Sequence, residues 1–320
     1  MLPHSLSAHA PRYGHLLGPT PLVAISLDGD SAPIWCKLEF LNPSGSTKDR
    51  IARYILEKAW RQGRIHQQTL VAEASSGSTS IAFALACAQM GIRFIAFMPE
   101  GVSQERIWMI KAYGAEVRLT PRAEGIHGSI AATRELAAKE HVFLPTQFAN
   151  PDNSEAHRLH TAREALDQMP GNRVDAVVSG VGTGGTLVGL FQGLSDFGCS
   201  VTPVLARPIA QNPDAPANTE IECCSFTFSG RIPGVLDSMS EIFRRADLPG
   251  LVTLEIPDDE ALETTRQLIR LGFPVGPSSG LNFAAARRIS KRLKLANPAI
   301  LTVFPDRMER YFSTELFQKK

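Results

Sequence analysis

The chain has 320 residues, 43% of them hydrophobic, enough to bury a substantial core and to build two lobes. With 33 basic residues against 32 acidic ones, its net charge of +1 excludes the broad charge signature of a nucleic-acid or membrane-surface protein, and a small-molecule partner is expected. The N-terminus lacks the basic start, apolar centre and small-residue cleavage site of a secretory signal, and no apolar run approaches the ~20 residues that span a bilayer.

Cys36, Cys87, Cys199, Cys223 and Cys224 are odd in number and show no C-x-x-C spacing. They read as reduced thiols of a cytosolic protein rather than as a metal clamp.

In chain order, Ile34–Phe40 reads as a strand, and Lys48–Gln62 as a helix with Ile51, Tyr54, Ile55 and Ala59 on one face. Then come Leu70–Ala72 (strand), Ser78–Met90 (helix), Arg93–Met98 (strand), Gln104–Tyr113 (helix), Ala115–Leu119 (strand) and Ile126–Glu140 (helix). The later half repeats the alternation: strands at Ala176–Ser179, Ser200–Leu205, Leu251–Ile256 and Ala299–Phe304, helices at Gly185–Leu194, Asp258–Leu271 and Leu281–Leu293. Such alternation predicts an α/β fold with parallel sheets covered by helices on both faces. Arg207–Pro233, rich in Pro, Asn and Ser, is expected as a long loop over an active site.

Four loops carry the chemistry. Asn42–Arg50 follows a strand and opens a helix, so Lys48 lies beside helix-terminal N–H groups that can hold an anion. Taken by itself, a lysine there is usually a surface residue. The helix end and partial burial would lower its pKa from about 10.4 and favour a neutral amine that attacks an aldehyde. Glu73–Ser80 also joins strand to helix, and its hydroxyls and N–H groups can bind a carboxylate, although in isolation it is equally an ordinary cap. Val177–Thr186 holds Gly180, Gly182, Gly184 and Gly185 between strand and helix, which permits close backbone approach to a phosphate. It lacks the Gly-Lys-Ser/Thr ending of a P-loop and an acidic ribose partner downstream. Gly276–Gly280 adds Ser278 and Ser279; a serine facing a pyridine nitrogen leaves the ring neutral, which suits β-elimination and replacement, and a capping serine is the plain alternative.

In this order and spacing the four loops resemble the β-family (fold type II) of pyridoxal phosphate (PLP) enzymes, the cysteine synthase and cystathionine β-synthase group in particular, over nearly the whole chain. Gly18-Pro19-Thr20-Pro21-Leu22 looks like the family's opening motif, and Phe304-Pro305-Asp306 with Glu309-Arg310-Tyr311 like its C-terminal signature. The resemblance makes Lys48 the catalytic Schiff-base lysine. It assigns PLP to Lys48, Ser78, Gly182, Thr183, Gly184, Gly185, Thr186 and Ser278, and the substrate carboxylate to Ser75, Ser76, Gly77, Thr79 and Gln147. It further implies two lobes, a smaller one over 48–146 and a larger one from 1–47 plus 147–320, a homodimer, and no appended regulatory domain.

Several positions depart from the family pattern. Ser78 stands where an Asn usually contacts the cofactor's phenolic oxygen, Ser80 replaces a Gly, and Arg307-Met308 replaces Ser-Gly. Arg207-Pro208 takes the place of Glu-Pro, and Arg231 that of an aromatic residue. A bidentate guanidinium suits a phosphate or second carboxylate, so Arg231 is a candidate substrate contact, with a solvated loop arginine as the alternative.

The implied activity is β-replacement on an activated L-serine, O-acetylserine or O-phosphoserine, by sulfide or another nucleophile, with Lys48 moving the α-proton. The rivals are a β-eliminating desulfhydrase or dehydratase, a cystathionine β-synthase or diaminopropionate-type synthase, and a non-catalytic scaffold.

Overall fold

The computed structural model describes residues 17–30, 32–210, 231–235 and 240–318. Cys223, Cys224 and most of the long 207–233 segment lie outside them.

Ten strands form two sheets. The larger has the order β1 (Leu22–Ile25), β2 (Ile34–Lys37), β10 (Ile300–Val303), β7 (Ala176–Ser179), β8 (Thr202–Ile209), β9 (Val252–Pro257). All of its pairs are parallel except the β1–β2 edge. The smaller is wholly parallel: β5 (Glu116–Thr120), β4 (Arg93–Pro99), β3 (Leu70–Ala74), β6 (Val142–Phe143). Central strands buried on both faces favour mostly apolar runs, as in Ala176–Ser179 and Ile300–Val303, where the buried Thr302 hydroxyl is satisfied by Val178 O.

Helices cover both sheets. On the smaller, α1 (Lys48–Arg61), α2 (Ser78–Met90) and α3 (Gln104–Ala112) enclose a core of Ile51, Ile55, Phe83 and Phe94, while α4 (Gly125–Lys139) closes the other face around Leu70, Ile95 and Leu136. On the larger, α9 (Asp258–Arg270) and α10 (Pro277–Arg292) bury Leu262, Leu268 and Phe283. The opposite face carries α7 (Gly185–Asp196) over Leu187, Leu190 and Leu194. No helix among the described residues is long and apolar enough to cross a membrane.

The predicted alternation holds, with several differences. β1 starts at Leu22, the last residue of the opening motif, whose Thr20 Oγ1 donates to Glu39 Oε1 at 2.7 Å inside a buried ion cluster. There Arg50 meets Glu39 at 2.7 Å and Glu164 at 2.5 Å, and Lys37 meets Glu164 at 3.0 Å. Glu39 and Phe40, expected to end a strand, instead open a 3-10 turn, Glu39–Leu41, that feeds the Lys48 loop. β8 runs on to Ile209, into the stretch expected to be loop; beyond Leu205 it is paired with β9, so Pro208 costs no ladder bond toward β7. Finally, residues 152–168 are helical, as α5 (Asp152–Ala156), a π-helical stretch (His157–Thr161) and α6 (Ala162–Gln168), and Glu241–Arg245 forms the short α8.

Candidate active site

In parallel sheets ligands gather outside the carboxyl ends of the strands, where strand order reverses. Here the loops after β2, β7 and β10 of the larger sheet meet those after β3 and β6 of the smaller one. One cleft is bordered by Lys48, Ser75, Ser76, Gly77, Ser78, Thr79, Gln147, Gly182, Thr183, Gly184, Thr186 and Ser278. Gly185 and Arg231 are not among its lining residues.

Lys48 opens α1, and the loop that delivers it is clamped from the chain's far end. The buried Arg310 guanidinium donates to the carbonyls of Gly45 (3.0 Å) and Ser44 (2.5 Å), and Thr47 N–H donates to Pro305 O at 2.8 Å. Ser44 N–H is held by Asp49 Oδ2 at 2.9 Å. Gly45 turns left-handed at φ +83°, with Arg307 and Arg310 side chains 2.9 Å from where a Cβ would stand. Burial lowers the Lys48 pKa, opposed by the nearby Asp306 carboxylate, and its Nζ has no hydrogen bond or ion pair among the described residues. An amine whose pKa is lowered by burial, with no hydrogen-bond partner among the described residues, is suited to attack on an aldehyde.

The loop after β3 is laced by its own hydroxyls. Ser75 Oγ lies 2.6 Å from Ser80 Oγ and accepts the N–H groups of Gly77 and Ser80 at 3.1 Å, so Ser80, a departure from the family pattern, is a staple. Gly77 sits at φ +153°, and any Cβ there would overlap the Arg106 side chain. Arg106 Nη1 donates to Ser76 O at 3.1 Å and the guanidinium rests over the Tyr311 ring at 5.2 Å. Ser78 Oγ donates to Asp306 Oδ2 at 3.2 Å, and Tyr311 Oη to the same oxygen at 2.7 Å. Thr79 Oγ1 donates to Gln147 Oε1 at 2.6 Å, while Gln147 Nε2 donates to Ala74 O at 2.7 Å. Behind them Glu73, fully inside the strand, accepts Ala74 N–H at 2.8 Å and Gln147 N–H at 3.1 Å; burial pushes its carboxyl up to about 7.

The glycine turn after β7 is held from behind. Gly180 N–H donates to Asn282 Oδ1 at 2.7 Å, and Ser240 Oγ donates to Thr183 O. Gly184 is left-handed at φ +79°, with Phe243 Cβ 2.7 Å from where its own Cβ would be; Cβ atoms at Gly182 and Gly185 would overlap Gly234 O and Asn153 Oδ1. Gly185 therefore supports the turn from the packing side. Ser278 stands at the second position of α10, after Pro277, and is buried at the cleft. The following Ser279 has a buried hydroxyl with no hydrogen-bond partner among the described residues.

Arg231, the candidate phosphate contact, pairs with Asp259 at 2.6 Å and Glu315 at 2.8 Å, so two carboxylates already match its charge. Sequence reading passed over Glu73, Arg106, His157 and the position of Asp306 in the cleft. A lone carboxylate inside the otherwise apolar run Leu70–Ala74 was the available signal for Glu73; none marked Arg106, which sits on an ordinary helix.

The cleft fits PLP. A helix N-terminus whose turn excludes side chains suits a phosphate, the unpartnered amine suits its aldehyde, and Ser278 suits its ring nitrogen. The model of the pyridoxal-phosphate dependent enzyme family matches residues 14–306, and the chain belongs to that family. Within it, the chain is 37% identical over 305 residues to a cysteine synthase of Staphylococcus aureus (strain N315), covering 94% of this chain and 95% of that one. Among solved structures it resembles the O-acetylserine dependent cystathionine β-synthase from Helicobacter pylori (TM-score 0.83, 32% identity, 95% and 97% of the two chains). A hydrogen sulfide-producing enzyme from Fusobacterium nucleatum is similarly close (TM-score 0.83, 32% identity, 95% and 90%). The chain is thus a PLP-dependent enzyme of the cysteine synthase-like β-replacement group.

Proposed function

We propose that the chain replaces the β-substituent of an activated L-serine, O-acetylserine or O-phosphoserine, with sulfide or a related nucleophile. The observation that carries this reading is the placement of a free, weakly basic Lys48 amine between two different anion-binding loops in one cleft. The glycine turn is suited to a phosphate, and the Ser76, Thr79 and Gln147 side to a carboxylate.

When bound, PLP supplies the electron sink that makes the donor's α-proton acidic. The protein's part is positional and acid–base. Ser76, Thr79 and Gln147 hold the donor carboxylate and so fix the Cα–H bond beside Lys48. The Lys48 amine, its pKa lowered by burial, takes the α-proton, and the Asp306 carboxylate steadies the ammonium that results. Return of that proton to Cα completes the product. Ser278 offers its hydroxyl to the ring nitrogen without adding charge. With Arg231 matched by Asp259 and Glu315, O-acetylserine, whose acetyl substituent is uncharged before it departs as acetate, is the better supported of the two donors. The same reading takes the protein as a cytosolic homodimer, with residues 48–146, which hold the whole four-stranded sheet, as the smaller lobe.

The test uses purified protein with O-acetylserine and O-phosphoserine, with and without sulfide, following amino-acid and keto-acid products separately. Sulfide-dependent amino-acid formation supports replacement; keto acid released at the same rate with or without sulfide would replace this reading with β-elimination. Lys48→Ala should remove the visible absorbance of the bound cofactor and lower turnover by about 10³-fold or more. Undiminished turnover in that variant defeats the assignment.

A further inference from the structure

Behind the glycine turn lies a buried histidine that the reaction above does not use. Gly185, Gly189 and Gly193 recur every four residues along α7 and form one bare stripe. A Cβ on Gly189 would stand 2.6 Å from His157 Cβ, and one on Gly193 would overlap the Arg158 carbonyl. The stripe lets residues 152–168 lie directly on α7, and this brings the His157 ring beneath Thr186. The ring is fully buried, with Nδ1 3.0 Å from Thr161 Oγ1 and Nε2 3.3 Å from Thr186 Oγ1. His157 also begins the π-helical stretch, a widened turn of a kind that recurs at functional sites. Burial pushes its pKa down to about 3, so the ring is neutral near pH 7.

We propose that His157 is a positioning residue for the cofactor phosphate: its Nε2–H donates to Thr186 Oγ1 and thereby leaves the Thr186 hydroxyl proton free for the anion. The inference rests on the assignment of Thr186 to the phosphate cup. A neutral imidazole has one N–H, so its two nitrogens take opposite roles. With the proton on Nδ1, the ring would donate to Thr161 and accept the Thr186 proton, and Thr186 would turn lone pairs toward a phosphate. With the proton on Nε2, Thr161 donates to Nδ1 and Thr186 keeps its own proton for the phosphate oxygen. A bound anion selects the second arrangement, because a hydrogen bond to a charged acceptor is the stronger kind.

Nitrogen NMR of the histidine-labelled wild-type holoenzyme reads the tautomer directly, without substitution, and the Nε2–H form is expected. An Nδ1–H ring in cofactor-loaded protein overturns the proposal. Release of bound cofactor, followed through its visible absorbance, gives the second readout. His157→Asn, whose amide stops short of Thr186, should release it about tenfold faster, the scale of one charge-assisted hydrogen bond. His157→Gln, which can carry an N–H to the Nε2 position, should stay within about threefold of wild type on the same scale. Thr186→Val should match His157→Asn, and the double variant should be no looser than Thr186→Val alone. Single effects that multiply in the double variant would mean that His157 acts through packing alone, and the proposal falls. Wild-type protein that binds no cofactor at all would instead defeat the site assignment beneath it.

Discussion

The turn after β7 and the loop after β3 make an informative pair. Each follows a parallel strand, opens a helix and borders the same cleft, and each suits an anion. They are built in opposite ways. The β7 turn works through its backbone: Gly182, Gly184 and Gly185 leave no room for a side chain, and its polar supports Asn282, Ser240 and His157 come from other elements. The β3 loop works through hydroxyls, some of which lace the loop itself through Ser75 and Ser80, while Thr79 reaches across to Gln147. A cup made of backbone donors accepts a constant group, since it has nothing to vary. A wall made of side chains can be retuned, as the proposed role of this loop in substrate choice requires.

The strongest way to break this contrast is Gly185→Ala. Its methyl must displace Asn153 at the start of α5, so about 1–3 kcal/mol of stability should be lost, with bound cofactor released at least about tenfold faster. Thermal unfolding and cofactor retention check it; normal retention would mean that the turn tolerates side chains after all. Next, Gln147→Ala should raise KM for the amino-acid donor by about 10- to 30-fold while the cofactor absorbance is unchanged, because one hydrogen bond to a charged group is lost on the substrate side. Loss of absorbance with an unchanged KM would reverse the roles given to the two loops.

A pH titration sharpens what lies behind the β3 loop. Burial raises Glu73 from 4.5 to about 7 against the pull of the Ala74, Gln147 and Thr146 N–H groups. The folded state therefore holds that proton more tightly than the unfolded chain, and stability drains as pH climbs from 4.5 to about 7, then levels. The drain is on the order of 3 kcal/mol. Glu73→Gln removes the titration, so urea midpoints at pH 5 and pH 7.5 should differ less than in wild type. Asp49, raised by burial to about 6, leaves a residual slope in both proteins. An equal slope in the two proteins would show that Glu73 is not the titrating group.

Much of the architecture was legible. Short apolar runs alternating with helix-length segments gave parallel sheets, and glycine and hydroxyl clusters at strand ends gave loops that do gather at one cleft. The helical stretch 152–168 was not, because it packs on the α7 glycine stripe through Asn153, Ser154, His157 and Ala162 rather than through a stripe of large apolar residues. The start of α10 was missed for a related reason: its first turn, Pro277–Gly280, is polar and small, and burial there comes from close packing against Ala261 and Thr265 of α9. Arg231 shows the limit at the site itself, since a loop arginine looks the same in sequence whether it faces a phosphate or, as here, Asp259 and Glu315.

By itself the sequence determined the periodicities, the glycines and the lysine that begins the first long helix, because these follow from local backbone and side-chain geometry. Tertiary structure decided which charges are matched and which are left free. It set Arg310 against the carbonyls of Ser44 and Gly45, gave Asp306 to Ser78 and Tyr311, and left Lys48 without a hydrogen bond or ion pair among the described residues. The reason is physical: burial and electrostatic pairing depend on distances between residues hundreds of positions apart, and no local pattern encodes them.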